Sequence, residues 1–315
     1  MRLLPPLLVC LAGCGSSLDP VCVQLRWDWW ATTAETTFDG SVWRAFNVHG
    51  DPLTETMRSY EDDRLTTVWH TWDAGGREIL RQSREGEAPS GQRLAHQEWE
   101  YDADGYLILS WEEEVVGVRD TVRTFTNDGA GNPLEERIDY EDDGVVDTVV
   151  SSTWDDDGRP LSRERVSEGE VTSQQTWAYD RHGDAIEETS VTDSRTVRTT
   201  SAYDDDRRLV RRETERDGEL ARVVIYRWEA DLLVAEDHLD GSGALERTIE
   251  HTYDADGWRI ATVTSGPDGV ESERQEYDVD EHGNVVRQTD TRGGVETFRA
   301  ESEWSCFVPE RYPEG

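Results

Sequence analysis

The sequence has no lysine and little methionine or phenylalanine. All 32 of its basic residues are arginine, 69 residues are aspartate or glutamate, and the formal net charge is −37. Nucleic acids and anionic lipid surfaces attract proteins through a positive surface, which this composition does not provide. We therefore predict that the chain does not bind nucleic acid or adsorb to anionic lipid.

Catalytic signatures are also missing. The sequence has no HExxH, GxSxG, Walker-type or Rossmann-type motif. The histidines are scattered, and His182 and His282 each precede the glycine of a turn, which is typical of turn residues. We predict a non-enzymatic protein without a cofactor. The alternative is a polysaccharide-acting hydrolase on a curved β scaffold, since carboxylates are too numerous for a catalytic pair to be recognised from sequence.

Residues 1–13 predict a signal peptide. One positive charge, Arg2, precedes a short apolar stretch and small residues, and this stretch is too short for a membrane-spanning helix. The segment LAGC at 11–14 resembles a bacterial lipobox. The resemblance implies cleavage before Cys14, lipidation of its thiol and an anchor in the cell envelope. Gly15, where a retention signal has aspartate, favours the outer membrane. The alternative is an ordinary secretory leader.

Cysteine is scarce, with four in the chain. Cys10 leaves with the predicted leader and Cys14 carries the lipid. In an exported chain the remaining pair, Cys22 and Cys306, favours one disulfide over a metal site. This bond closes a loop of about 285 residues, for which the chain-entropy model gives about 4–5 kcal/mol.

The most informative feature present is a repeat of about 25 residues, in which an aromatic residue is followed by an acidic turn that usually contains glycine. Two looser copies begin at Phe46 and Asn127. A fixed period of this size indicates one supersecondary unit copied into an array. The eight repeat aromatics are Trp72, Tyr101, Trp154, Tyr179, Tyr203, Trp228, Tyr253 and Tyr277.

Each repeat unit predicts a β-hairpin. A second glycine turn lies about halfway along the units, as at 168–170 and 216–220. The segments between turns have the length of strands, and Asp-Gly is a strong hairpin signal. Trp177 and Tyr179 alternate with other residues and so lie on one face. We predict an all-β fold, a repetitive antiparallel hairpin meander that forms a curled or spiralling sheet.

The aromatic-Asp-x-x-Gly-x-x-Leu pattern resembles the YD repeats of the RHS family over most of residues 46–304. The resemblance implies hairpins that spiral into a β-sheet shell, and contact with carbohydrate or cell surfaces. The chain has no DPxGL-type motif, and we expect it to be too short to enclose a passenger domain. A stand-alone repeat lipoprotein is therefore the better match, and a fragment of an RHS-type shell is the alternative.

The sequence divides into four parts. After the signal peptide we predict an anchor and irregular β cap at 14–45, the repeat array at 46–304 and a tail at 305–315. Trp27, Trp29 and Trp30 in the predicted cap have two interpretations, an apolar covering for the end of the array or a platform on which sugars stack.

One turn carries carboxylates at a spacing that suggests calcium. Asp139, Glu141, Asp143 and Asp147 occupy positions 1, 3, 5 and 9 of an EF-hand-type loop, with Gly144 at position 6. The bidentate glutamate of position 12 is missing, because that residue is valine. The segment is therefore either a calcium site of modest affinity or a hairpin turn in an acidic protein.

These observations lead to one expected function. We predict a lipid-anchored cell-envelope protein whose repeat sheet is a structural or binding surface, with carbohydrate or protein as its ligand. The sequence does not determine the oligomeric state.

Overall fold

All regular secondary structure in the described part of the chain is β-strand, which confirms the predicted all-β class. The computed structural model describes residues 21–32, 37–47, 49–59, 64–87, 91–113 and 119–307. Within these ranges no helix has the length and apolar character needed to cross a bilayer. The strands are β1 (Val21–Thr32), β2 (Thr37–Phe46), β3 (Pro52–Ser59), β4 (Arg64–Trp72), β5 (Glu78–Glu85), β6 (Arg93–Tyr101), β7 (Leu107–Glu113), β8 (Thr121–Asn127), β9 (Pro133–Tyr140), β10 (Thr148–Trp154), β11 (Pro160–Ser167), β12 (Glu170–Tyr179), β13 (Ala185–Thr192), β14 (Arg195–Tyr203), β15 (Leu209–Arg216), β16 (Glu219–Glu229), β17 (Leu232–Asp240), β18 (Leu245–Tyr253), β19 (Arg259–Ser265), β20 (Glu271–Val279), β21 (Val285–Arg292) and β22 (Val295–Phe307).

The strands form one antiparallel meander that closes on itself. Each strand pairs with the next along the chain, as β16 does with β17. The first strand, β1, also pairs with the last, β22, from Val21 opposite Phe307 to Ala31 opposite Phe298. The sheet is therefore a closed barrel of 22 strands. The prediction of an open, spiralling sheet was wrong in this respect.

A repeated β-bulge gives a physical reason for the closure. The register shifts at the repeat aromatic where an even strand meets the next odd strand, for example between Thr71 and Trp72 and between Ala178 and Tyr179. A bulge bends its strand and increases the local twist. Register shifts also occur near the opposite rim, for example between Arg165 and Val166, so bulges bend and twist the sheet at both edges, and this is consistent with its closure.

The two edges of the barrel carry different turns. Turns after even strands form one edge, which we call the motif rim, and turns after odd strands form the opposite rim. The start of β1 and the end of β22 both lie at the motif rim. The motif-rim turns fall at 47–51, 73–77, 102–106, 128–132, 155–159, 180–184, 204–208, 230–231, 254–258 and 280–284.

The segment predicted as an irregular cap differs in the structure. Its described residues form β1 and most of β2, which are regular strands of the barrel. A closed sheet leaves no end of the array to cover, which is the physical reason for the difference. Trp27 packs against Phe298 on β22, with ring centroids 6.4 Å apart. The side chains of Trp29 and Trp30, the leader, Cys14 and residues 308–315 lie outside the described part.

The repeat aromatics share one face of the sheet. Directly opposite residues of an antiparallel pair lie on the same face, and following the register around the barrel puts all eight on the same side. We call this side the aromatic face. On β12 its residues Gln175, Trp177 and Tyr179 are half-buried, whereas Thr176 and Ala178 are exposed.

The barrel has no thick apolar core among the described residues. Most side chains on either face are half-buried or exposed, as a single-layer sheet requires. Few apolar side chains are buried. The buried ones are Val23, Val42, Ile138, Val150, Val223, Val224, Ala235 and Ala300.

The closing strand pair brings the two predicted disulfide partners together. Cys22 on β1 stands directly opposite Cys306 on β22. Opposite residues in an antiparallel pair have Cα atoms about 4.5–5.5 Å apart, within the range of about 4.4–6.8 Å found across disulfides. The register therefore satisfies the backbone requirement for the bond, which remains a prediction.

Candidate functional site

The acidic residue of the repeat motif builds the motif-rim turn. Asp180 Oδ1 accepts hydrogen bonds from the backbone N–H groups of His182 at 2.8 Å and Asp184 at 3.0 Å. Gly183 takes a φ of 86°, a left-handed conformation that glycine adopts without strain. The same pair of bonds is made by the side chains of Asn47, Asp73, Asp102, Asp128, Asp155, Asp204, Asp254 and Asp280.

These hydrogen bonds change the acidity of the turn carboxylates. The pKa of Asp73, Asp155, Asp180 and Asp204 lies below its usual range, mainly because the backbone N–H four residues later donates to the ionised form. The motif carboxylates therefore stabilise a turn, and they do so in the ionised form.

The aromatic residue of the motif ties each repeat to the one before it. Tyr253 OH donates to the carbonyl of Leu233 at 2.8 Å, and Trp228 Nε1–H donates to the carbonyl of Leu209 at 2.9 Å. Such a hydrogen bond contributes about 1 kcal/mol. The equivalent donors are Trp72, Tyr101, Asn127, Trp154, Tyr179, Tyr203 and Trp304.

One repeat aromatic and one motif-rim turn depart from the common pattern. Tyr277 OH donates instead to Gln275 Oε1, at 3.0 Å. The unit of Trp228 ends in the short turn at 230–231, where Ala230 has a φ of 50°. An Asp-capped turn follows on the opposite rim, between β17 and β18, where Asp240 accepts from the backbone N–H groups of Ser242 and Ala244.

The predicted calcium residues lie together in the opposite-rim turn between β9 and β10. Asp139 accepts from the backbone N–H of Gly144 at 2.9 Å, and Asp147 accepts from that of Tyr140 at 2.7 Å. Asp143 accepts from the backbone N–H of Val145. In the described part of the chain, no group of three or more His, Cys, Asp or Glu is arranged to hold a metal. The calcium site remains a prediction, and these contacts describe a hairpin turn.

The best candidate for a ligand site is a cavity on the aromatic face of β6, β7 and β8, with a volume of about 290 Å³. Trp99 and Phe125 contribute aromatic rings. Ser110 lies directly opposite both Trp99 and Arg123, which brings the three strands together across the site. The lining residues are Gln97, Trp99, Leu107, Ser110, Trp111, Glu112, Thr121, Arg123 and Phe125.

The polar groups of the cavity hold one another in place. Glu112 accepts from Gln97 Nε2 at 3.2 Å and lies 3.7 Å from the Arg123 guanidinium. Arg123 also donates to Glu136 at 3.0 Å. Arg81 sits 5.3 Å from the centre of the Trp99 ring. The cavity thus offers aromatic surface next to a fixed set of an amide, a carboxylate and a guanidinium.

Of the residues that line this cavity, only the position of Trp99 follows from the sequence pattern. Trp99 precedes the repeat aromatic Tyr101 by two residues, so alternation puts both on the aromatic face. Glu112 and Arg123 are missed because they come from β7 and β8, and their meeting depends on the strand register. Neither follows a motif that could have singled it out.

Comparison with known proteins yields no family. No family model matches the sequence, and no curated protein matches it. The crystal structure of TcdB2-TccC3 is similar over 88% of this chain and 19% of that chain, with a TM-score of 0.35 and 11% identity. A porin-like protein from Bacteroides uniformis ATCC 8492 is similar over 90% of this chain and 98% of its own, with a TM-score of 0.31 and 10% identity.

These similarities are too weak to carry an inference. The chain spans about a fifth of the length of TcdB2-TccC3, and the form of that complex without its hypervariable C-terminal region gives a TM-score of 0.33 at 13% identity. The resemblance to RHS repeats therefore rests on the sequence motif.

Proposed function

We propose that this protein is a non-enzymatic, lipid-anchored component of the cell envelope that binds a saccharide on the aromatic face of its barrel. The observation that carries the proposal is the cavity at β6–β8, where Trp99 and Phe125 stand beside Gln97, Glu112 and Arg123. The YD-type repeats form the scaffold that holds these strands in register.

The chemistry of the cavity suits a sugar. The apolar C–H face of a sugar ring packs on an aromatic ring, and its hydroxyls pair with amide, carboxylate and guanidinium groups. The volume of about 290 Å³ lies at the lower end of the range for small-ligand sites, which is about 300–1,000 Å³. We therefore favour a short saccharide over a protein segment as the ligand.

Glycan-array screening of the purified protein, followed by calorimetry with the best ligand, tests this proposal. We expect Trp99→Ala to weaken binding about tenfold, since removing a stacking aromatic costs on the order of 1 kcal/mol or more. Trp258→Ala is the matched control, because Trp258 is an exposed tryptophan on a motif-rim turn outside the cavity. Equal losses in both variants, or an array without any bound glycan, would contradict the proposal.

The same purified protein and its glycan ligand can be used to distinguish binding from hydrolysis. If the purified protein released reducing ends from a bound glycan, and Glu112→Gln in the cavity abolished the release, the hydrolase would replace the binding protein.

The lipid anchor fixes the orientation of the barrel in this proposal. The first described residue, Val21, starts β1 at the motif rim. Six residues lie between it and Cys14, and the segment spans at most about 25 Å. An anchored protein would therefore turn its motif rim toward the membrane and its opposite rim away from it.

Membrane fractionation tests the anchor. We expect Cys14→Ala to move the exported protein out of the membrane fraction, because it removes the thiol that carries the lipid. Cys10→Ala is the control and keeps the protein in the membrane fraction, since Cys10 leaves with the signal peptide. A Cys14→Ala protein that stays with the membrane would overturn the anchor.

A further inference from the structure

Several arginines in the described part of the chain have no carboxylate partner, and three of them, Arg212, Arg222 and Arg247, lie close together in the sheet. In the part of the chain that the structure describes, the guanidinium groups of Arg212, Arg222 and Arg247 take part in no ion pair or hydrogen bond. All three side chains are exposed. By contrast, Arg211 and Arg227 on the same strands β15 and β16 pair with Glu213 at 2.6 Å and with Asp237 at 3.3 Å.

The strand register gathers the three arginines on the aromatic face. Arg212 lies opposite Val224, Val224 lies opposite His238, and His238 lies opposite Arg247. Arg222 is two residues from Val224 and so shares its face. Opposite residues have Cβ atoms about 4.5–5.5 Å apart, and diagonal ones are about 7–8 Å apart. Arg212 and Arg247 are three strand spacings apart, about 14 Å, so each must extend toward Val224 and His238 for the two to reach one small group.

A buried histidine lies at the centre of this row. His238 is only 8% exposed, and its ring nitrogens make no hydrogen bond of normal geometry. Its Nε2 faces Glu236 at 3.4 Å, and the other oxygen of Glu236 is 3.4 Å from His251. Glu236 is therefore a weak acceptor for Nε2, and Nδ1 has no partner. A buried polar atom without a partner is costly, and a bound group at Nδ1 would satisfy it.

Of the carboxylates around the row, Glu236 is the closest, because it shares the aromatic face and lies 3.4 Å from His238 Nε2. Asp240 is opposite Arg222, but its carboxylate accepts from the backbone N–H of Ser242 at 2.8 Å and from its Oγ at 2.7 Å. Alternation puts Glu213 on the other face of the sheet. At physiological ionic strength charges are screened beyond about 8 Å. On this face the three guanidinium groups outnumber the two nearby carboxylates, Glu236 and Asp240, although the whole chain is strongly negative.

We propose that Arg212, Arg222, Arg247 and His238 form a binding site for a phosphate or sulfate group. A guanidinium presents its N–H groups in a planar fork that matches such oxyanions, and the histidine ring adds a donor beneath them. The group could be a free anion or be carried on a sugar. The site is separate from the cavity at β6–β8 and does not depend on it.

Calorimetry on the purified protein tests the site with three probes: inorganic phosphate, glucose 6-phosphate and glucose. We expect both phosphates to bind and glucose to give no signal. Much tighter binding of glucose 6-phosphate than of phosphate would assign the group to a sugar. Failure of phosphate and glucose 6-phosphate to bind with a Kd below about 10 mM would overturn the proposal.

Two triple variants of equal charge separate the site from the overall charge. R212Q/R222Q/R247Q removes the arginines of the site, and we expect it to weaken phosphate binding at least tenfold. R211Q/R227Q/R274Q removes three ion-paired arginines, including Arg274, which pairs with Glu271 at 2.7 Å, and should change the affinity less than threefold. Equal losses would show that only net charge matters.

Side-chain NMR of the unmodified protein provides a readout that does not depend on the folding of a variant. Phosphate should shift the Nε–H signals of Arg212, Arg222 and Arg247 and leave those of Arg211 and Arg227 in place. The reverse pattern would contradict the site. Trp99→Ala should leave phosphate binding unchanged, so the anion site and the proposed saccharide site can fail separately.

Discussion

Replacing Cys306 with serine should lower the free energy of unfolding by about 4–5 kcal/mol, because the loop closed by the predicted disulfide is about 285 residues long. The effect is large because the bond fastens the seam of the barrel. Cys22 and Cys306 stand opposite each other on β1 and β22, the pair whose separation would turn the closed sheet into an open one. Urea unfolding followed by circular dichroism measures the change.

A double-mutant cycle makes this prediction specific. Cys22→Ser, Cys306→Ser and the double variant should be destabilised equally, because each removes the same bond. A reducing agent should destabilise the unmodified protein and leave the three variants unaffected. Additive effects of the two single changes, or a reducing agent without effect on the unmodified protein, would show that the cysteines are not bonded.

Local turn chemistry is the part of this fold that the sequence predicts well. Asp180 and Gly183 act within a few residues of each other, through hydrogen bonds and a backbone conformation that few other residue types supply. The same is true of the alternation that puts Trp177 and Tyr179 on one face. Strands, turns and the aromatic face therefore follow from short stretches of sequence.

Arg207 shows that the motif turn forms even where its glycine is replaced. It occupies the position of the turn glycine and has a φ of 63°, which costs energy for a residue with a side chain. Its guanidinium donates to Asp184 in the neighbouring turn, at 2.7 and 2.9 Å. This contact between two repeats offsets the backbone strain at Arg207. The contact could not be predicted from the sequence of a single repeat.

Closure and the candidate sites could not be predicted from the sequence, because they depend on the combined bend and register of many strands. Closure depends on the bend at each bulge, and a small change per hairpin would leave the sheet open. The cavity needs Trp99, Ser110 and Arg123 to arrive in one row from three strands. The anion site depends on which arginines form an ion pair. Arg211 and Arg212 are adjacent in the sequence, but only Arg211 pairs with a carboxylate.

Acid should destabilise the barrel in two stages. Burial lowers the pKa of His238 and His251 below the usual histidine value. As pH falls below about 6.5, the unfolded chain therefore binds protons before the folded one, and stability begins to drop. The second stage starts below about pH 4, since the ionised turn carboxylates such as Asp204 have lowered pKa values in the fold. Their contribution is present above the unfolded value and is lost as pH falls through the folded one.

Urea unfolding at a series of pH values measures both stages. We would work in about 1 M salt, where the Debye length is about 3 Å and repulsion within the acidic chain is largely removed. His238→Gln should make the first stage shallower. Asp204→Asn should make the second stage shallower by at most one proton, because an amide oxygen still accepts the turn hydrogen bonds, as Asn47 does. Asp205→Asn is the matched control, because it removes the same charge from a carboxylate that accepts no such bond. If the two aspartate variants behaved alike below pH 4, the acid response would come from total charge, and the motif turns would have no special part in it.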